Sequence, residues 1–175
     1  MARPSPQQLA RLHSELARVR REMESLARRH AAHRRSALQW RREQAGLIER
    51  AHRLAWAVAA GRRQMTEAEQ TLMREAVAQQ IKYLDRFARD FRTGAAGLSV
   101  HRAGSYAIAA QATFWGMWLI RHPSRQVRRI VNSRRENCDE CVREARRGWV
   151  KIDEVKHWGS LQCLFHCGCQ FETRP

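Results

Sequence analysis

Apolar residues recur every seven positions over the first third of the chain, and this spacing limits the folds open to it. Leu9, Leu16 and Met23, and later Ala51 and Val58, lie on one track. Leu12, Val19, Leu26, Trp40, Leu47 and Leu54 lie on a second. Alternating steps of three and four residues put both tracks on one narrow stripe of a helix, the seam of a coiled coil. Ser5 or Pro6 opens such a helix and no later proline interrupts it, so the spacing predicts one long helix over residues 6–60. His30, His33 and Gln44 fall on the seam, where polar groups set register or partner at some cost in stability. His30 and His33 find no further metal ligands in this segment, so they read as structural.

Gly61 ends the helix, and Thr66 and Glu69 are spaced as a capping box that starts another. This one runs to about Arg92, with Met73, Val77, Leu84, Phe87 and Phe91 on its apolar stripe. Two long antiparallel helices joined by a short turn would bury these stripes on each other. Gly94 and Gly97 then break the pattern. Residues 103–120 carry no charge and are bounded by Arg102 and Arg121. That length reaches only the lower edge of a membrane span. Gly104, Ser105, Gln111, Thr113 and Gly116 dilute the run, and Phe114, Trp115 and Trp118 crowd one end of it. A helix buried in the core or in an assembly interface is the expectation. Beyond it, 127–131 and 149–152 suggest two short strands. The predicted architecture is mainly α. It comprises a helical hairpin or coiled-coil arm (1–93), an apolar docking helix (94–123) and a small cysteine-rich α+β module (124–175).

Thirty-three basic residues against seventeen acidic ones leave a net charge of +16, and all but three of the basic residues are arginine. The guanidinium never loses its charge and grips phosphate bidentately, so a polyanionic neighbour is expected: packaged nucleic acid, an acidic protein surface or anionic lipid. The excess is spread over the whole chain, so many of these arginines also fit the solvated faces of long helices. No apolar signal segment follows Met1, which predicts cytosolic synthesis, where thiols stay reduced.

All five cysteines fall between Cys138 and Cys169. Cys138 and Cys141 form a Cys-x2-Cys pair, and Cys163, Cys167 and Cys169 follow, with His166 beside Cys167. A close pair and a distant second pair complete a tetrahedron of soft thiolates, the geometry that zinc accepts most readily. Cys138 and Cys141 supply one half. The other half comes from Cys163, Cys167 and Cys169, with His166 as an alternative nitrogen ligand. Four protein ligands leave no open position, so the zinc would be structural. An iron–sulfur cluster or a disulfide formed after release from the cell are the competing accounts. Zinc can supply about ten kcal/mol or more of folding free energy to a small module. Trp149, Trp158, Phe165 and Phe171 would pack around the site as a miniature core.

The run Asn137-Cys138-Asp139-Glu140-Cys141, then Gly148-Trp149-Val150, Trp158-Gly159-Ser160, Cys163 and Cys167-Gly168-Cys169, resembles the carboxy-terminal cysteine segment of tailed-phage minor head proteins of the Mu F-like group. The preceding helix, with Arg102, Tyr106 and Gly116, is also similar to that family, and the match covers roughly residues 100–170. The chain departs from the family in its shortness, in Leu164 and His166 between the final cysteines, and in its long amino-terminal arm. The resemblance implies a non-catalytic component of the virion head near the portal, present in the host cytoplasm during assembly. It also implies an oligomeric setting with portal, capsid or connector proteins as partners, and packaged DNA facing the arginines. The alternative is a zinc-containing nucleic-acid-binding protein with little sequence preference. A membrane-active role through 103–120 fits less well. No paired carboxylates, phosphate-cradling glycine loop or Ser-His-Asp-like grouping points to an enzyme.

Overall fold

Ser5 and Gln8 exchange hydrogen bonds between side chain and backbone, at 2.9 and 3.1 Å, and Pro6 takes the first helical position. In the computed structural model, which describes residues 4–33, 36–61, 63–93, 99–121, 126–131, 138–155 and 169–175, this cap opens helix α1 (Pro6–His33). The helix does not continue to residue 60. Ser36 caps a second helix, α2 (Ala37–Ala60), by accepting from the Gln39 amide at 3.2 Å. The two pack antiparallel, with Glu22 paired to Arg50 and His30 Nε2 3.7 Å from Glu43. The expected single helix is therefore corrected to a hairpin. An unbroken seven-residue pattern does not exclude a turn, because a capping serine can restart the helix while the pattern continues beyond it.

The seam is buried inside the chain itself. Leu12, Leu16, Val19, Met23 and Leu26 of α1 are buried. On α2 the buried face shifts to Trp40, Gln44, Ile48, Ala51, Ala55 and Val58, leaving Leu47 and Leu54 half-buried. Gly61, at φ +68°, ends α2, and the Thr66–Glu69 capping box starts α3 (Glu67–Arg92) as expected. Helix α3 lies antiparallel on the other side of α2, where Asp85 meets Arg41 at 2.6 Å.

The uncharged run forms two helices, α4 (Val100–Ala109) and α5 (Gln111–Ile120), which meet at a tight turn on Ala110. Helix α4 packs on α1 and α2, and α5 on α2 and α3, so the pair is a second layer over the first three helices. Gly104 brings the α4 backbone against α1. A Cβ there would lie 2.6 Å from Glu24 Oε1, which is itself bonded to Arg20. Thr113 through Leu119 are all buried, so the docking expected of this segment takes place within the chain. Among the described residues no helix is long and apolar enough to cross a membrane.

Three polar clusters cross this interior. Gln44 donates to the Ala103 carbonyl at 2.8 Å, tying α2 to α4. Both ring nitrogens of His52 have partners: Thr113 Oγ1 lies 2.5 Å from Nδ1, and the Gln80 side-chain amide 2.8 Å from Nε2. Burial pushes the His52 pKa down to about 4, so the ring is neutral. Glu69 accepts from Arg121 at 2.7 Å and from the Thr66 amide at 3.0 Å, clasping α3 to the end of α5. Burial alone would raise the Glu69 pKa, but Arg121, with help from Thr66 and Trp56, holds it below the usual carboxylate value.

A three-stranded antiparallel sheet closes the chain, in the order β2 (Val150–Lys151), β1 (Gln126–Ile130), β3 (Gln170–Arg174). The strand expected at 127–131 is present one residue earlier, and the one expected at 149–152 is shortened to two residues. The strand β3 and the helix α6 (Asp139–Arg146) carried no signal strong enough to predict them. Among the described residues the sheet shares the core of the helices. Phe171 meets Trp115 of α5 with ring centroids 5.7 Å apart, and Val127, Cys141, Val155, Cys169 and Phe171 are continuous with the buried cluster of the helices. The miniature core expected around Trp149 and Phe171 is corrected accordingly: Trp149 is half-buried between the guanidiniums of Arg128 and Arg174, at 4.9 and 4.6 Å. Trp158 and Phe165 lie outside the described residues.

Candidate metal centre

The Cys-x2-Cys pair is built on the first turn of a helix rather than on a tight loop. Cys138 is the N-cap of α6, and its Sγ accepts the Cys141 amide at 3.4 Å. Sulfur here does what a serine or aspartate oxygen does at other helix starts. The N-terminus of a helix favours a thiolate over a thiol, because backbone amides and the helix dipole both stabilise negative charge there. Asp139 and Glu140 occupy the same first turn, as the dipole prefers. Cys138 is half-buried and Cys141 is 1% exposed, so the pair points from the surface toward the interior.

The sheet supplies the opposite wall. Strand alternation places Val127 and Arg129 of β1 on the face toward the core, with Phe171 paired opposite Arg129 and Thr173 opposite Val127. Cys169 precedes β3 and shares the parity of Phe171 and Thr173, and it is buried to 2% exposure. Arg129 joins the two sides. Its guanidinium stacks over Phe171 at 4.8 Å and donates to Cys141 Sγ at 3.9 Å. A buried cation beside a sulfur favours the thiolate, the form that binds metal. On the outer face, Arg128 pairs with the buried Glu172 at 2.5 Å, which sets the sheet firmly in register under this wall.

Of the residues expected to bind metal, the structure therefore describes Cys138, Cys141 and Cys169. The remaining candidates, Cys163, Cys167 and His166, lie outside the described residues. Among the described residues, no three His, Cys, Asp or Glu side chains come together as a ligand group. Cys138, Cys141 and Cys169 thus do not by themselves form a three-ligand site, and a tetrahedron at Cys138 and Cys141 needs donors from outside the described residues. His30 is buried in the helical layer near Glu43, far along the chain from the cysteines. His33 closes α1, and its side chain is outside the described residues. Arg129 was missed from the sequence, although its place two residues after Val127 on a short strand already put it on the apolar face.

No family model matches the chain, and neither does any curated protein or solved structure.

Proposed function

We propose that this chain is a non-enzymatic structural component of a tailed-phage head, in the portal region, with its carboxy-terminal end stapled by one structural zinc ion. The observation that carries this reading is the Cys138–Cys141 pair on the first turn of α6, where one sulfur already accepts the other residue's amide. Such a half-site has the soft donors that zinc selects, and Cys163, Cys167, Cys169 and His166 offer the rest. The resemblance of the same cysteine segment to minor head proteins supports a station in a virion. The partner-binding arm first expected from the heptad seam is not part of this proposal, because that seam faces α2 and α4. Contacts with portal, capsid or connector proteins fall instead to outer surfaces, where the arginine excess favours polyanionic neighbours.

Two measurements test it. Elemental analysis of the purified protein should find about one zinc per chain, and Cys138→Ser should lose it. The protein should also copurify with assembled particles. Metal-free protein whose carboxy-terminal end is fully folded would overturn the zinc assignment, and absence from particles would overturn the station.

A further inference from the structure

The charge of the first layer is not evenly distributed. The first half of helix α3 carries Glu67, Glu69 and Glu75 against Arg74, and its second half carries Lys82, Arg86, Arg89 and Arg92 against Asp85 and Asp90. Because α2 and α3 are antiparallel, the basic end of α3 lies beside the start of α2, which carries Arg41 and Arg42. Lys82, Arg86 and Arg89 are spaced four and three residues apart, so they form one stripe on the outer side of α3. Arg41, Arg89 and Arg92 line a shallow groove of about 190 Å³ together with Ala37, Leu38 and Ala88. Asp85, at the groove, is paired with Arg41. Among the described residues, Arg42, Lys82, Arg86, Arg89 and Arg92 have no acidic partner, and all five are exposed.

Complementing the helix dipole accounts for part of this pattern and not for the rest. Arg89 and Arg92 stand in the last turn of α3, where cations are favoured. Lys82 and Arg86 lie before that turn. Arg41 and Arg42 stand just beyond the first turn of α2, where the dipole gives a cation no support.

From this placement we infer that the outer α2–α3 face, where α2 starts and α3 ends, is a binding surface for the phosphate backbone of nucleic acid. The stripe from Lys82 to Arg92 is about 15 Å long, and each strand of a duplex presents one charge per roughly 3.4 Å of axis, so several phosphates fall within reach. Guanidiniums grip phosphate oxygens in pairs without reading bases. An acidic protein is the poorer fit, because the core of a protein interface is apolar and depleted in charge. Here, among the described residues, Leu38, 66% exposed, is the one exposed large apolar side chain of the face. The inference does not depend on the zinc site, which lies on other elements, and either can fail alone.

The test is a titration of the full-length protein with a short mixed-sequence DNA duplex, followed by fluorescence anisotropy over a range of salt. Binding should weaken steeply with salt and show no preference between unrelated duplexes. Replacing Arg86→Glu and Arg89→Glu together should lower affinity more than about tenfold and flatten the salt slope by about two. Arg11→Glu with Arg21→Glu makes the same change of charge on exposed positions of α1. It should cost less than about threefold, because charges beyond a Debye length of about 8–10 Å are screened. Helicity by circular dichroism checks the fold, and Arg86→Gln with Arg89→Gln serves if the reversed pair misfolds. Equal losses from both pairs, no duplex binding at moderate salt, or tighter binding of poly-glutamate than of the duplex would each overturn the inference.

Discussion

In the helical layers the interior is filled by Trp40, Phe87, Phe114, Met23 and Ile48, and the polar groups beside them are neutral, as at His52, or clasped, as at Glu69. Under the sheet, Arg129 and Thr173 share the interior with Cys141, Cys169 and Phe171, and on its other face Glu172 is buried against Arg128. The first region is held by dispersion and removal of apolar surface from water, which depend on shape and volume. The second depends on the charge state of a few groups, since a buried guanidinium and carboxylate are stable only while their neighbours answer them. Removing one methylene should therefore be graded in its effect in the helices, whereas removing one partner at the sheet should act as a switch.

The sharpest way to break this comparison is to remove the metal. If zinc holds the sheet end, a chelator or Cys141→Ser should withdraw about ten kcal/mol or more from that end alone. Hydrogen exchange should then rise in 126–131 and 169–175 while α1, α2 and α3 stay protected, and a matching rise in the helices would dissolve the distinction. Next in size is Trp40→Ala. The Trp40 ring is fully buried and packs edge-on to Phe87 at 5.1 Å, so its loss should cost about 3–5 kcal/mol by chemical denaturation and leave zinc content unchanged.

Acid should act on the helices through His52. Its folded pKa of about 4 lies below the ordinary value of 6.5, so the unfolded chain binds the extra proton first. Stability is full above the unfolded value and falls as pH drops toward about 4, by about 3 kcal/mol in all. Denaturation midpoints at stepped pH would measure it, and His52→Gln should flatten that window. Glu69, whose folded pKa is lowered, adds a loss at still lower pH, as the pH falls through its folded value. The smallest effect expected is at Gly61, whose φ of +68° suits a side chain poorly. Gly61→Ala should cost about 1 kcal/mol, read as a small shift in the thermal midpoint.

Much of the architecture was legible because local chemistry and tertiary packing agree. The helix start at Ser5–Pro6, the capping box at Thr66 and the stop at Gly61 each rest on interactions within a few residues, while the burial of 103–120 and the strand near 127 were legible from lack of charge and from alternation, which the long-range packing then satisfies. The Cys138–Cys141 pair was legible for the same reason, although its support is a helix start rather than a tight loop.

What the sequence by itself determined is a mainly helical chain with charge in excess and its sulfurs gathered at one end, since periodicity, caps and composition are carried by neighbours along the chain. Only the tertiary structure decided that α1 folds back on α2, that the seam faces inward, and that Arg129 sits beneath Cys141. The reason is physical. A heptad stripe is equally satisfied by a second copy or by a neighbouring helix of the same chain. The choice rests on the fresh helix start capped by Ser36 and on α4 covering the stripe, and neither can be read from the period of the stripe itself.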